Sequence, residues 1–366
     1  MVATPAHAAT IDVACSPAAL IRAIATANST PTTSDTLDLA HDCTYTYTER
    51  IAGPGQAALP QITSPISING HHATITRDGN TDNEFRFFNL PPTTAANLTL
   101  RDLALTNATV GGGAQGGAIQ LGFGTVASLV DVQLTGNTSG NGGGAIINNN
   151  GTLRIASSYF KDNNTEAGQG GAISSSGATR VEGSVFVNNS TSPIADGNGG
   201  AIAHTSLSAP LALTASIFTG NESQGLGGAI YNNSSSATIT NCQIRSNNAR
   251  TGGGIANFGT LTTNVRTTIR GNTASFSGGG IYNFGTLNTR NTFIDANAVT
   301  QGTGAGIHNQ GDATLNDSRI TGNTAAFGPA GLHNEGGSVT LNHTTIKNNN
   351  PGNCDPSNPA VSACTR

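Results

Sequence analysis

The stretch GGAIINNNGTLRIASSYFKDN, residues 143–163, decides the fold because its two ends recur along most of the chain. It opens with a Gly-Gly-[Ala/Gly]-apolar unit and closes with an apolar-x-x-Asn unit. The apolar residue of the first unit recurs at Ile119, Ile146, Ile173, Ile202, Ile230, Ile255, Ile281, Ile307 and Leu332. The Asn of the second unit recurs at Asn137, Asn163, Asn189, Asn221, Asn247, Asn272, Asn297, Asn323 and Asn349. The apolar residues lie 25 to 29 residues apart, and such a period is typical of solenoids.

Each repeat alternates with period two over short runs, which indicates strands rather than helices. Because Ile must point inward, the Asn two residues later shares the interior. The sequence therefore predicts an internal ladder of side-chain amides at Asn148, Asn232, Asn257, Asn283, Asn309 and Asn334. A second internal column contains Ser158, Ser184, Ser216, Cys242, Thr267, Thr292, Ser318 and Thr344. We interpret Cys242 as one small buried member of that column rather than as a reactive thiol.

The composition fits this interpretation and excludes other classes of protein. Among 366 residues, 48 are Gly, only 10% are charged and none is Trp, which does not provide a conventional helical core. No apolar stretch approaches the roughly 18 residues of a membrane span. Sparse, mixed charges with a net charge of −4 lack the basic patch of a nucleic-acid-binding protein.

The sequence predicts an all-β fold: a single-stranded right-handed parallel β-helix of about 11–12 rungs with an N-terminal α-helical cap. We expect a signal-peptide remnant or flexible terminus at 1–8, a capping segment at 9–62, the β-helix at 63–350 and a disulfide-closed tail at 351–366. Ser16 and Pro17 precede an amphipathic run with Leu20, Ile21 and Ile24 on one side, which is typical of a helix start.

Four of the five cysteines lie in pairs at the two ends of the chain. We interpret Cys15 with Cys43, and Cys354 with Cys364, as disulfides formed in an oxidising compartment. Reduced thiols in a cytosolic protein are the alternative.

The repeats resemble those of the polymorphic outer membrane protein and related right-handed β-helix families, as in residues 143–163. The leader from Cys15 to Thr46 resembles the capping segment of secreted bacterial β-helix proteins of the CSLREA type. The resemblance covers nearly the whole chain. It implies the fold and an extracellular location, and it implies no catalytic residue because the repeat is a structural consensus.

One outward column contains aromatic and imidazole side chains. It is the column directly after the repeated Ile, and Tyr231, Tyr282, His308 and His333 are its candidate ligand-binding residues. Rings beside the glycines of the repeat suit the apolar faces of sugars, because a ligand can approach the backbone closely there. The alternative is that these four are ordinary exposed strand residues. We expect no metal at His308 and His333, because the repeat places no third ligand there.

A second region stands out by its lengthened turns before and after Ile202. Nearby Arg180, Glu182, Asp196 and His204 are residue types that a polysaccharide lyase or hydrolase uses, and they are the candidate catalytic residues. The alternative is structural: His204 falls in the internal Asn column, and Arg180 and Glu182 form an ion pair between rungs.

We expect a secreted, extracellular monomer that acts as a binding or structural module, without a cofactor, on polysaccharide or a cell-surface glycan. It would bind no nucleic acid and span no membrane. The alternative is a polysaccharide lyase or glycoside hydrolase with its site near Ile202, for which calcium would be the cofactor. Binding of ice or mineral by regular Thr and Asn ladders is disfavoured because the outward columns are chemically mixed.

Overall fold

The chain folds into a parallel β-helix in which every repeat forms one turn. A computed structural model describes residues 8–31, 33–92, 96–192, 197–234, 236–354 and 364. All registered strand pairs are parallel, and each strand pairs with its counterpart one turn away, as Ile230 does with Ile255. The prediction of an all-β parallel β-helix is confirmed.

Each turn has up to four strands, arranged in three sheets. The largest sheet has two columns joined at a bend. Its first column has 13 levels: Thr10–Val13, Asp35–Leu39, the first parts of Pro65–Arg77, Asn97–Thr106 and Val126–Thr135, then Thr152–Ala156, Ala178–Glu182, Leu211–Thr214, Ala237–Thr240, Thr260–Asn264, Thr286–Arg290, Asp312–Asn316 and Val339–Asn342. Its second column contains Thr44–Tyr47, the later parts of the three long strands, Tyr159–Lys161, Val185–Val187, Ile217–Thr219, Gln243–Arg245, Thr268–Arg270, Phe293–Asp295, Arg319–Thr321 and Thr345–Lys347.

The two smaller sheets close the coil. The 9-stranded sheet contains Thr109–Val110, Thr138–Ser139, Asn164–Thr165, Ser190–Thr191, Glu222–Leu226, Asn248–Thr251, Thr273–Ser277, Ala298–Val299 and Thr324–Ala325. The 10-stranded sheet contains Phe88–Leu90, Ile119–Leu121, Ile146–Asn148, Ile173–Ser175, Ile202–His204, Ile230–Asn232, Ile255–Asn257, Ile281–Asn283, Ile307–Asn309 and Leu332–Asn334.

The coil begins earlier than the repeats suggest. Thr10–Val13 and Asp35–Leu39 pair with each other, and Asp35–Leu39 pairs with Pro65–Arg77. These two levels account for the difference between the 11–12 rungs predicted and the 13 levels observed. They lie within the segment 9–62, which we predicted as a cap from its helix and cysteines.

Two properties of glycine explain the Gly-Gly pair that opens each repeat. Gly227 has φ of 72°, a left-handed conformation that residues with a Cβ rarely adopt. A Cβ on Gly228 would lie 2.1 Å from the carbonyl oxygen of Gly253 in the next turn. The first Gly therefore makes the bend before the 10-stranded sheet, and the second allows consecutive turns to approach closely.

The predicted amide ladder is present inside the 10-stranded sheet. From Asn232 to Asn334, each Nδ2 donates to Oδ1 of the next ladder Asn at 2.7 or 2.8 Å. Asn148 donates to Ser175 instead, at 3.0 Å. The Ser/Thr column is also present, and Cys242 belongs to it: the backbone N–H of Ser216 points to its sulfur at 3.5 Å. Burial raises the pKa of the Cys242 thiol to about 11.

A second and longer amide ladder runs along the corner before the 9-stranded sheet, where the apolar-x-x-Asn units place nine Asn side chains. Asn272 is typical: its Oδ1 accepts from the backbone N–H and from Nδ2 of Asn247, at 3.0 and 2.9 Å. Its own Nδ2 donates to the Ile244 carbonyl and to Asn297 Oδ1, both at 2.9 Å. The repeats revealed this Asn column, but they did not predict its hydrogen bonds.

The N-terminal end of the coil is closed by a helix, Pro17–Ala27. Ser16 caps it by accepting from the backbone N–H of Ala19, and Leu20 and Ile24 are fully buried against the first strands. The disulfides Cys15–Cys43 and Cys354–Cys364 are both formed. Among the described residues, no helix has the length and apolarity needed to cross a membrane.

Candidate functional site

The outward column of the 10-stranded sheet brings the predicted ligand-binding residues into line. Strand register places Tyr231 beside Ala256, Ala256 beside Tyr282, Tyr282 beside His308 and His308 beside His333. Consecutive members are therefore separated by about the 4.8 Å that divides neighbouring strands.

A second column, two residues further along each turn, adds side chains that sequence reasoning missed. Phe258, Phe284, Gln310 and Glu335 each donate a backbone N–H to the turn before, which stacks them beside the first column. Alternation could have revealed them, because a residue two positions after an outward residue faces outward again. We call the rings of both columns the aromatic face: Tyr231, Phe258, Tyr282, Phe284, His308 and His333.

The rings of the aromatic face form a continuous row. Ring centroids are 5.7 Å apart for Tyr231 and Phe258, 5.9 Å for Phe258 and Tyr282, and 5.4 Å for Phe258 and Phe284. Tyr282 stacks on His308 at 5.4 Å with an interplanar angle of 22°, and His308 lies 5.0 Å from His333. Spacings in this range are typical of packed aromatic pairs.

Only part of the aromatic face is open to solvent. Tyr231 is 8% exposed and packs with Ala203, Ala256, Leu226 and Phe258, and burial raises the pKa of its hydroxyl. His308 is 4% exposed. Phe284 is 54% exposed, and Phe258, Tyr282 and His333 are half-buried. The surface available to a ligand is therefore centred on Phe258, Tyr282 and Phe284, and the predicted Tyr231 and His308 contribute little to it.

A polar network continues the aromatic face towards the C-terminus. The Tyr282 hydroxyl donates to Gln310 Oε1 at 2.7 Å, and Gln310 Nε2 donates to Glu335 Oε2 at 2.7 Å. The same carboxylate oxygen lies 3.0 Å from His308 Nε2, and His308 Nδ1 lies 3.2 Å from the Thr303 hydroxyl.

This network shifts the pKa values of its members in opposite directions. Burial lowers the pKa of His308, and the neighbouring His333 lowers it further. The hydrogen bond from Gln310 lowers the pKa of Glu335, with a further contribution from His308. Burial, followed by the charge of Glu335, raises the pKa of the Tyr282 hydroxyl.

His308, His333 and Glu335 are the residues best placed to hold a metal. Their ligand atoms all lie within 4.8 Å of one another, and no other group of three such side chains does so in the described part of the chain. The repeat predicted no third ligand beside the two histidines, but the turn after Leu332–Asn334 supplies Glu335. No comparable cluster of carboxylates for calcium occurs among the described residues.

The candidate catalytic residues near Ile202 do not converge on one site. His204 is fully buried in the internal Asn column, where its Nε2 lies 3.1 Å from the Gly177 carbonyl, and burial lowers its pKa. Arg180 and Glu182 lie on the outer surface of another sheet and pair at 3.1 Å within one strand rather than between rungs. Asp196 lies outside the described residues.

Comparison with known proteins supports a β-helix repeat protein. The family model of the Chlamydia polymorphic membrane protein repeat matches residues 215–233. This segment runs from the bend before Ile217–Thr219 to the end of Ile230–Asn232, and so spans most of one turn. No curated protein matches the chain.

Two solved structures resemble this chain over most of its length. The A-module of the mannuronan C-5 epimerase AlgE4 from Azotobacter vinelandii has a TM-score of 0.53 and 14% identity, over 95% of this chain and 96% of that chain. The A-module of the epimerase AlgE6 from the same organism has a TM-score of 0.40 and 14% identity, over 92% and 95% of the two chains. At this identity, the AlgE4 match concerns the fold alone: the chain is a parallel β-helix repeat protein.

Proposed function

We propose that this protein is a secreted, extracellular binding module that holds polysaccharide chains against its aromatic face. The observation that carries the proposal is the row of rings at Phe258, Tyr282 and Phe284, which is continuous over neighbouring turns and open on one side. An exposed phenyl ring is costly to hydrate, so a protein that retains one beside other rings favours a partner with apolar surface.

The chemistry around the rings suits sugars. The C–H groups on one side of a pyranose form an apolar surface that stacks on an aromatic ring, and the sugar hydroxyls need hydrogen-bonding groups nearby. Gln310 and Glu335 provide amide and carboxylate groups at one end. A cavity of about 540 Å³ lies at the 9-stranded sheet of the same turns and is lined by Leu226, Arg250 and Phe276 among others. The rings and the polar groups beside them therefore offer both kinds of contact.

The extended shape of the surface suits a polymer better than a small molecule. The candidate ring positions follow consecutive turns, so each turn could contact a successive part of one chain. The name of the AlgE4 A-module refers to mannuronan, a polysaccharide, which supports a polymer ligand for a coil of this kind. Two disulfides and a polymorphic membrane protein repeat support an extracellular location.

Binding is favoured over cleavage because the candidate catalytic groups lie apart. His204 is inside the coil, and the Arg180–Glu182 pair is on a different sheet. A glycosidase needs two carboxyl groups about 5 to 9.5 Å apart on either side of the bond to be broken. The polar network of the aromatic face contains one carboxylate, that of Glu335.

The test is retention of a panel of neutral, uronate and cell-wall polysaccharides by affinity electrophoresis, with mass spectrometry of the polymer afterwards. We expect retention without shortening, and at least about tenfold weaker binding by Phe284→Ala, equivalent to about 1.4 kcal/mol for one lost ring contact. The matched control is Phe123→Ala, which removes another exposed ring six turns away.

Equal binding by Phe284→Ala and Phe123→Ala would refute the aromatic face as the site. Shortened products would instead favour the lyase or hydrolase alternative. Failure to retain any polysaccharide would refute the proposed function.

A further inference from the structure

The cluster of His308, His333 and Glu335 has a geometry that the proposed function does not require. His308 and His333 are direct neighbours on adjacent parallel strands, and Glu335 lies two residues beyond His333. Strand register and one turn therefore fix two imidazoles and one carboxylate at the same place on the surface.

The distances match those of a small transition-metal site. In a tetrahedral zinc site with bonds of about 2.0 to 2.2 Å, neighbouring ligand atoms lie about 3.3 to 3.6 Å apart. His308 Nε2 and Glu335 Oε2 are 3.0 Å apart, and all three ligand atoms fall within 4.8 Å of one another. Small rotations of the exposed Glu335 and the half-buried His333 would complete the set.

Outer hydrogen bonds hold the first ligands in place. Thr303 Oγ1 lies 3.2 Å from His308 Nδ1, the ring nitrogen that faces away from Glu335. Gln310 donates to Glu335, and Tyr282 donates to Gln310. Metal sites use such partners to orient their ligands and to select the histidine tautomer.

Thr303 is suited to both states of the site. Without a metal, His308 Nε2–H donates to Glu335 and the Thr303 hydroxyl donates to Nδ1. With a metal on Nε2, the neutral ring carries its proton on Nδ1, and Nδ1–H donates to the same hydroxyl. A hydroxyl both donates and accepts, so the tautomer changes without leaving a buried polar atom unpaired.

We propose that His308, His333 and Glu335 form a binding site for a divalent transition metal such as Zn²⁺. Two imidazoles and one carboxylate favour zinc over calcium and magnesium, which prefer oxygen ligands. Three protein ligands leave a fourth position open to solvent on the exposed side of Glu335, as in zinc sites that bind a further molecule. The inference does not rest on polysaccharide binding.

The experiment measures zinc uptake by the full-length protein. The chain is stripped with a chelator and titrated with Zn²⁺ against a chromophoric competitor, and bound metal is counted by mass spectrometry after gel filtration. We expect one Zn²⁺ per chain, with affinity reduced at least about tenfold by Glu335→Gln and by His333→Ala. Glu335→Gln is the decisive variant, because it keeps the size of an exposed side chain and is expected to fold.

The matched control is His343→Ala, which removes a histidine that is 90% exposed on the last turn and lies 3.5 Å from Asp317. Its affinity for zinc should stay within about twofold of wild type, since its ring is outside the cluster. Phe284→Ala should also retain zinc, which separates failure of the metal site from failure of the polysaccharide site.

Three results would overturn the proposal. They are absence of zinc uptake by the wild-type chain, unchanged affinity in both Glu335→Gln and His333→Ala, and calcium binding as tight as zinc binding at this site.

Discussion

Replacing Asn272 by Leu tests how much the corner ladder stabilises the coil. Asn272 is fully buried, and its side chain takes part in four hydrogen bonds that join three consecutive turns. Leu has a similar length but neither accepts nor donates. The backbone N–H of Asn247 and one N–H of its side-chain amide would then lose their acceptor. Each buried group left without a hydrogen-bond partner costs about 1 to 3 kcal/mol, so the free energy of unfolding should fall by about 2 to 6 kcal/mol.

Two comparisons sharpen this prediction. Asn283→Leu, in the ladder of the 10-stranded sheet, leaves one donor of Asn257 without its amide partner and should cost about 1 to 3 kcal/mol. Asn248→Leu changes an exposed residue beside the corner ladder and should stay within about 0.5 kcal/mol of wild type. Unfolding in urea, followed by circular dichroism, gives these free energies.

Amide hydrogen exchange provides a local measurement for the same variants. The Asn247 amide should lose protection in Asn272→Leu, because its acceptor is gone, and should keep it in Asn248→Leu. The reasoning is refuted if Asn272→Leu unfolds at the same urea concentration as Asn248→Leu and the Asn247 amide stays protected.

Three other predictions concern the interior of the coil. Burial lowers the pKa of His204. Below about pH 6.5, the unfolded chain therefore takes up a proton that the folded chain excludes. The free energy of unfolding should then fall towards pH 5 by at most about 1.4 kcal/mol per pH unit. His204→Asn should remove that loss. The prediction is contradicted if the free energies of unfolding of the two proteins, measured in urea, differ by the same amount at pH 8 and at pH 5. Cys242, with a pKa of about 11, should resist iodoacetamide at pH 8 in the folded protein and react in urea. Labelling of the native protein would place the thiol outside the core. The Phe186 ring stacks between those of Phe160 and Phe218, with centroids 4.6 and 4.8 Å away. Phe186→Ala should therefore lower the free energy of unfolding in urea by about 3 to 5 kcal/mol. A loss below about 1 kcal/mol would show that the neighbouring rings close the cavity.

The repeats correctly predicted the contacts that depend on the register between strands of neighbouring turns. Counting from each Gly-Gly pair placed Ile230 beside Ile255, Asn257 beside Asn283 and Cys242 in its Ser/Thr column. Alternation with period two holds along a strand, so the inward and outward faces of a strand followed directly.

What alternation could not predict lies at the corners. Ser246 has φ of 54°, so the chain bends just before Asn247 and the alternation that locates inward residues is interrupted. The corner ladder was therefore seen as a column but not as a set of buried hydrogen bonds. The first two turns were missed for a different reason, since Thr10–Val13 and Asp35–Leu39 have no Gly-Gly unit.

The sequence predicted where the residues of the candidate site lie on the coil, but not how exposed their side chains are. The outward direction of His308 followed from the repeat, whereas its burial depends on neighbours from flanking segments, such as Thr303 and Glu335. How far a turn reaches over the strand beside it depends on its own conformation, which a single sequence does not specify. Alternation gave the outward direction of Glu335, two residues after His333, but its distance from the two histidines depends on the conformation of that turn.

The two amide ladders share one direction. In both, one N–H of each Nδ2 points to the side-chain oxygen of the following turn, from Asn232 to Asn334 and from Asn137 to Asn349. In the corner ladder the other N–H points back to a backbone carbonyl of the preceding turn, as from Asn272 to Ile244. Aligned amide dipoles add, as those of the backbone do in a helix. The ladders themselves therefore contribute positive potential at the C-terminal end of the rod, on the last turns where His333 and Glu335 lie.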